Sequence, residues 1–143
     1  TEVKAWGAGI SFDYKMANKL FCFFNVFTDN LTNVPTGFLA GFNTPKYRLN
    51  TGNGHSELGK TKQFGFNINF SWQDDFFYEG GGHVEGTVKA YATLDAQVNY
   101  KLPKIKSMIK LGGTNITNKY YQTGFGNPYI GGMYYLSFAY NIL

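Results

Sequence analysis

The residues with the most obvious chemical potential stand in one segment, "QDDFFYEGGGHVEG", which gathers Asp74, Asp75, Glu79, His83 and Glu85. Carboxylates and an imidazole this close suggest divalent-metal binding or acid–base catalysis. Their spacing matches neither a calcium loop nor a zinc motif. A carboxylate pair working on a substrate also needs a defined separation, which a flexible stretch does not provide. The "EGGGH" piece lacks the lysine ending and the strand-to-helix setting of a phosphate loop. The segment reads as a solvated loop. His55 beside Glu57 reads as a turn residue, and His83 has no Ser and Asp partners for a triad.

Cys22 is the single cysteine, so neither an internal disulfide nor a cysteine metal cluster is expected. Its apolar neighbours mark it as a small hydrophobe. The two glycosylation-like triplets, Asn30-Leu31-Thr32 and Asn115-Ile116-Thr117, are short enough to be chance. No nucleophile–base pair, metal or cofactor is expected, and the chain is read as a non-enzyme. More promising are aromatic residues in or beside the long connections: Phe76, Phe77, Tyr78, Tyr120, Tyr121, Phe125 and Tyr129. Such rings stack on ligands or partners, or simply pack a loop. Arg48, Lys104, Lys106 and Lys110 are the cations predicted to share one polar wall, where they would attract an anionic solute or pair with acidic groups elsewhere.

The elements that must position these groups are strands. Aromatic residues reach 19% of the 143, with 14 Phe and 11 Tyr, while charged residues make up only 15%. Wide rings fit a pleated surface, and the 18 Gly disfavour helices. The net charge of +4 is spread through turns and single strand positions, so nucleic acid is not an expected partner. The start "TEVKAWGAGISF" lacks the pattern of an export peptide, and no apolar run is long enough for a membrane helix.

Period-two alternation marks seven segments: "VKAWGAGISFDY", "LFCFFNVFTDN", "KYRLNTGNG", "FGFNINFSWQD", "YATLDAQVNYKL", "KIKSMIKLGG" and the terminal "GGMYYLSFAYNIL". In the fourth, Phe64, Phe66, Ile68, Phe70 and Trp72 oppose Gly65, Asn67, Asn69, Ser71 and Gln73. In the last, Tyr134, Leu136, Phe138, Tyr140 and Ile142 oppose Tyr135, Ser137, Ala139 and Asn141. The second segment alternates least cleanly, because Phe21, Phe23 and Phe27 crowd the side opposite Leu20, Cys22, Phe24 and Val26. Short turns, "KMANK", the "HSELGKT" region and "LPK", alternate with three connections of roughly fifteen residues. That rhythm, with an apolar face set against Asn, Gln, Ser, Thr and Gly, predicts an all-β, transmembrane, antiparallel up-and-down β-barrel. Seven strands cannot close such a barrel, so residues 1–143 are expected to be the C-terminal part of a larger one.

The tail "IKLGGTNITNKYYQTGFGNPYIGGMYYLSFAYNIL" resembles the C-terminal end of TonB-dependent outer-membrane receptors. In that family a penultimate strand runs into an Asn-Leu-x-Asn/Asp-Lys-x-Tyr segment, here Asn115-Ile116-Thr117-Asn118-Lys119-Tyr120-Tyr121. The stretches "NTPKYRLN" and "FGFNINFSWQDDFFY" look like Bacteroidetes-type receptors. Ile142 and Leu143 stand where the family's barrel-assembly signal commonly ends in Phe. The resemblance implies the last seven strands of a barrel of about 22, with the plug domain and TonB box outside this chain. It implies energised uptake of an iron chelate, cobalamin, glycan or peptide across a bacterial outer membrane. The implied partners are outer-membrane lipid or lipopolysaccharide, the N-terminal barrel and plug, TonB of the inner-membrane energising complex and, on the outer face, a surface lipoprotein. The loop aromatics would then meet sugar, siderophore or lipoprotein, and the cations would line the lumen. The rival readings are a passive or partner-bound outer-membrane barrel, such as a porin or secretion-complex component, and a soluble β-sheet binding protein.

Overall fold

A computed structural model describes residues 2–141. Seven strands form one antiparallel sheet: β1 (Lys4–Lys15), β2 (Leu20–Asn33), β3 (Tyr47–Leu58), β4 (Phe64–Gln73), β7 (Tyr91–Leu102), β8 (Ser107–Thr114) and β9 (Met133–Tyr140). Each pairs with its neighbour in that order. A separate two-stranded ribbon, β5 (Phe76–Glu79) with β6 (Glu85–Val88), rises from the long connection between β4 and β7. The ribbon has no counterpart in the sequence reading, because four-residue strands are too short to display a period.

The pairing registers sort the side chains cleanly. Ile10 faces Val26, Val26 faces Leu49, and Leu49 faces Trp72. On the far side of the sheet Val98 faces Leu111, which faces Leu136. Because partners across an antiparallel ladder lie on one face, these rows make one side of the sheet apolar. The other side carries Asn50, Ser71 and Thr93 in one row, and Asn67 beside Gln97 in another. The alternation holds within the strands that form, but "KIKSMIKLGG" is strand only from Ser107, because a 3₁₀ turn takes Pro103–Ile105.

The three phenylalanines that blurred β2 now have a physical account. Phe27, Phe23 and Phe21 pair directly with Gly9, Gly52 and Gly54 on the flanking strands. A Cβ at Gly54 would stand 2.5 Å from both the Phe21 ring and the Phe66 carbonyl oxygen. The missing side chain is therefore the space that the ring occupies, a cross-strand glycine–aromatic pairing. The rings belong to the polar face without disturbing the register.

The barrel expectation is corrected here. Closure gives every strand two neighbours, yet β1 pairs only with β2 and β9 only with β8 among the described residues. The sheet is open, and no lumen is enclosed. The transmembrane up-and-down barrel, as the last seven of about 22 strands, gives way to an open seven-stranded antiparallel sheet with a two-stranded ribbon. Among the described residues no helix is long and apolar enough to cross a membrane, which says nothing of crossing by strands. The expected end signal at Ile142 and Leu143 lies outside the described residues.

The open sheet also leaves its apolar face without a covering layer from the described chain. Ile10 is 72% exposed and Leu136 74%, whereas Val88 is the hydrophobic side chain buried to 1%. Hydrogen bonds also organise the connections. Asn115, 2% exposed, is the centre of one such knot. Its main-chain amide donates to Asp95 Oδ1 at 2.8 Å, and its side-chain Nδ2 donates to the Lys119 carbonyl at 2.7 Å. Its Oδ1 accepts from the Thr117 hydroxyl and the Lys119 amide. Asn118 Oδ1 then accepts from the Gly132 amide at 2.7 Å. The Asn-Ile-Thr-Asn-Lys stretch is thus a turn in which Asn115 and Asn118 both adopt positive φ, near 50°, as asparagine tolerates.

Candidate functional site

Two adjacent rows of the polar face build a cleft at the edge of the sheet that carries the long connections. The first row runs Phe27, Arg48, Gln73, Tyr91 across β2, β3, β4 and β7. The second row is Asn50, Ser71 and Thr93. The cleft has a volume of about 330 Å³, and Tyr121 from the last connection closes one end. Small-molecule sites typically span roughly 300–1,000 Å³. Leu49 and Trp72 also line it, although their register puts them on the apolar rows, so they contribute main-chain floor.

Arg48 is the one charged residue lining this cleft among the described residues. Its Nη2 donates to Asp29 Oδ2 at 2.6 Å, and its guanidinium carbon lies 5.6 Å from the Phe27 ring centre. Asp29 lines a different depression, so it orients the guanidinium from outside the cleft. A guanidinium has five N–H donors, and one bond to Asp29 leaves others to face a ligand. The Phe27 face adds a cation–π contact.

At the opposite end Tyr91 and Tyr121 stack with ring centres 4.2 Å apart and planes at 27°. Tyr121 is held by a two-way backbone bridge to Ile130, with N···O distances of 3.2 and 2.8 Å. The Asn115 turn fixes the start of the same connection. Burial pushes the Tyr91 phenol above its ordinary value of 10.0, and the neighbouring Tyr121 phenol adds to the rise. Tyr91 is therefore a neutral hydrogen-bonding group at physiological pH. Between the two ends, Ser71 donates to Asn50 Oδ1 at 3.4 Å, which leaves the Asn50 amide hydrogens for a ligand.

The residues singled out from sequence scatter around this cleft. Arg48 and Tyr121 line it. Phe76 and Phe77 belong to the ribbon and line a second depression with Asp29 and Lys46. Tyr78 faces Gly80 and Gly124, and Phe125 lies against Gly86 on β6, so both rings pack loop against loop. Tyr120 and Tyr129 are exposed, at 70% and 66%. Lys110 lies on the polar face between Asn99 and Ser137. Lys104 and Lys106 sit in or just after the 3₁₀ turn Pro103–Ile105, at the opposite end of β7 from Tyr91. At ~3.3 Å per strand residue that is roughly 35 Å from the cleft. The shared wall of four cations is not formed.

The acidic segment is structural where its contacts are seen. Glu79 Oε2 accepts from the Gly41 amide at 2.6 Å, and the main chain of Glu79 exchanges two hydrogen bonds with the Asn43 side chain. Asp74 Oδ1 caps the amide of Asp75. Among the described residues no group of three or more His, Cys, Asp or Glu side chains converges on a metal position. The cleft residues that sequence reasoning passed over are Phe27, Asn50, Ser71, Gln73, Tyr91 and Thr93. Each was visible as a polar-face or edge residue, but only the strand registers bring them into two rows.

No family model matches the chain, and no curated protein matches it. A solved structure does: P. aeruginosa FpvA bound to a heterologous pyoverdine and iron superposes with a TM-score of 0.71 at 15% identity. The match covers 92% of this chain and 19% of that chain, so the sequence spans about a fifth of its structural neighbour. At that identity the likeness shows the fold alone. The resemblance to TonB-dependent receptors is corrected accordingly. A remote, partial match to a receptor wall is what remains of it, and this chain's own sheet stays open.

The functional expectations built on the barrel fall with it. Gated uptake requires a closed wall around a plug, and an open sheet encloses no path. TonB-dependent transport of an iron chelate, cobalamin, glycan or peptide is therefore not the reading carried forward. Placement as a multi-pass barrel in a bacterial outer membrane goes the same way. So do the partners inferred from it: lipid or lipopolysaccharide, plug, TonB and surface lipoprotein.

Proposed function

We propose that this chain is a non-enzymatic β-sheet binding protein that captures a small organic anion in the polar-face cleft. The observation that carries this reading is Arg48, the one charged residue among the described residues of the lining, with Asp29 bonded to it from outside. A charge-assisted hydrogen bond from Arg48 to a carboxylate would contribute about 1.5–3 kcal/mol, on the order of tenfold or more in affinity. The remaining lining groups are amides, hydroxyls and phenols, which hold a solute by hydrogen bonds. Tyr91, with its phenol held neutral, donates a proton bond rather than removing a proton.

Isothermal titration calorimetry on the full chain tests this, in a polyoxyethylene detergent that covers the apolar face. Benzoate, citrate and glucuronate serve as probes. At least one anion is expected to bind and to weaken by tenfold or more in Arg48→Gln. Silence from all three, or equal affinity in the variant, refutes the proposal.

A further inference from the structure

We infer that the cleft takes an acidic sugar, with the carboxylate on Arg48, one ring face on the Tyr91–Tyr121 stack and the hydroxyls on Asn50, Ser71, Gln73 and Thr93. This rests on the anion-binding reading and adds the ring and its hydroxyls.

The geometry of the two rows leads there. Arg48 and Tyr91 lie in one row with β4 between them, two strand spacings or about 10 Å apart. That separation leaves room for one six-membered ring between a carboxylate at Arg48 and the aromatic stack. Asp29 pairs with one guanidinium nitrogen at 2.6 Å, and the N–H donors that remain are those a ligand carboxylate would engage. In the stack each tyrosine turns one face to the other across 4.2 Å, and the face that remains is the apolar surface on which the C–H face of a pyranose would lie. Hydroxyls fan outward in the plane of such a ring, toward the amide and hydroxyl groups of both rows. An aromatic acid would satisfy Arg48 and the tyrosines, yet it would cover four hydrogen-bonding side chains without answering them. A site built to bond hydroxyls discriminates strongly against an analogue that lacks them.

The test compares D-glucuronate, D-glucose and benzoate by calorimetry on the full chain, in a detergent with no sugar headgroup. Glucuronate is expected to bind at least tenfold tighter than either comparison ligand. Arg48→Gln is expected to bring glucuronate to within about twofold of glucose. Thr93→Val, which keeps shape and β-propensity, is expected to weaken glucuronate severalfold and leave benzoate unchanged; it serves if the arginine variant folds poorly. Benzoate binding as tightly as glucuronate overturns the acidic sugar while leaving an anion site in place. Glucose binding as tightly as glucuronate, or heat from none of the ligands with citrate included, overturns both readings.

Discussion

The main-chain amide of Asn115 donates to the carboxylate of Asp95 at 2.8 Å, tying the last long connection to the middle of β7. The same asparagine satisfies the Lys119 amide and carbonyl. Two local bonds and the bond to β7 thus aim the chain toward Tyr121, which stacks on Tyr91, three strands from Phe27 in the cleft's first row.

Asn115→Ala removes these side-chain bonds from a site that is 2% exposed. Lys119 is itself exposed, so the cost is that of the net hydrogen bonds lost, about 0.5–1.5 kcal/mol each. The urea midpoint is expected to fall, and amide exchange at Lys119–Tyr121 to quicken. Unchanged exchange there would show that the turn is held by something else.

Tyr121→Ala removes the ring stacked on Tyr91, a loss of about 0.5–1.5 kcal/mol beyond area burial. The Tyr91 phenol is expected to move back toward 10.0, since burial and the neighbouring phenol both lessen. For an acid raised on folding, the stabilising effect is whole below its unfolded value. It is lost as pH rises from about 10 through the folded value. Phenolate absorbance at alkaline pH, followed in both proteins, reads this directly. A native Tyr91 that ionises no later than the other tyrosines would contradict it.

Glu57 Oε1 lies 3.3 Å from Lys101 Nζ, and the bond and charge of Lys101 hold the carboxyl below its ordinary 4.5. Folding therefore gains from this pair above pH 4.5, and the gain disappears as pH falls through the depressed value. Lys101→Gln is expected to return Glu57 toward the ordinary carboxylate range in an NMR titration. Because both partners are partly exposed, added salt is expected to narrow the difference.

Gly54→Ala puts a methyl group 2.5 Å from the Phe66 carbonyl oxygen and the Phe21 ring. The carbonyl belongs to the β3–β4 ladder and cannot rotate away, so the strand must shift. A loss of about 1–3 kcal/mol is expected, as for overpacking in a tight site. Adding Phe21→Ala is expected to recover only the part due to the ring. Full recovery would mean that the backbone clash is unimportant.

Two hydrogen bonds between Asn43 and Glu79, with a third from the Gly41 amide to the Glu79 carboxylate, clasp the first long connection to the ribbon. Asn43→Ala is expected to raise hydrogen exchange at Gly41 and Glu79 together, with little change at β4 or β7. Independent behaviour of the two segments would show that the clasp does not couple them.

Strand positions and faces were legible because they depend on a local property, the alternation of side chains every two residues. "YATLDAQVNYKL" coincides with β7 from end to end, and Phe64–Trp72 alternates as read. Lys104 and Lys106 were misplaced because Pro103 and the positive φ of Lys106 turn the chain before β8 begins. Phe21, Phe23 and Phe27 looked like noise because their counterparts are glycines on other strands, invisible without the register.

The sequence by itself determined which segments are extended and which side of each is greasy, since sterics and side-chain order act within a few residues. Only the tertiary structure decided that the sheet stays open, and that Arg48, Gln73 and Tyr91 share one row. Closure and register depend on which distant backbone groups meet, and alternation within a strand carries no record of its partner.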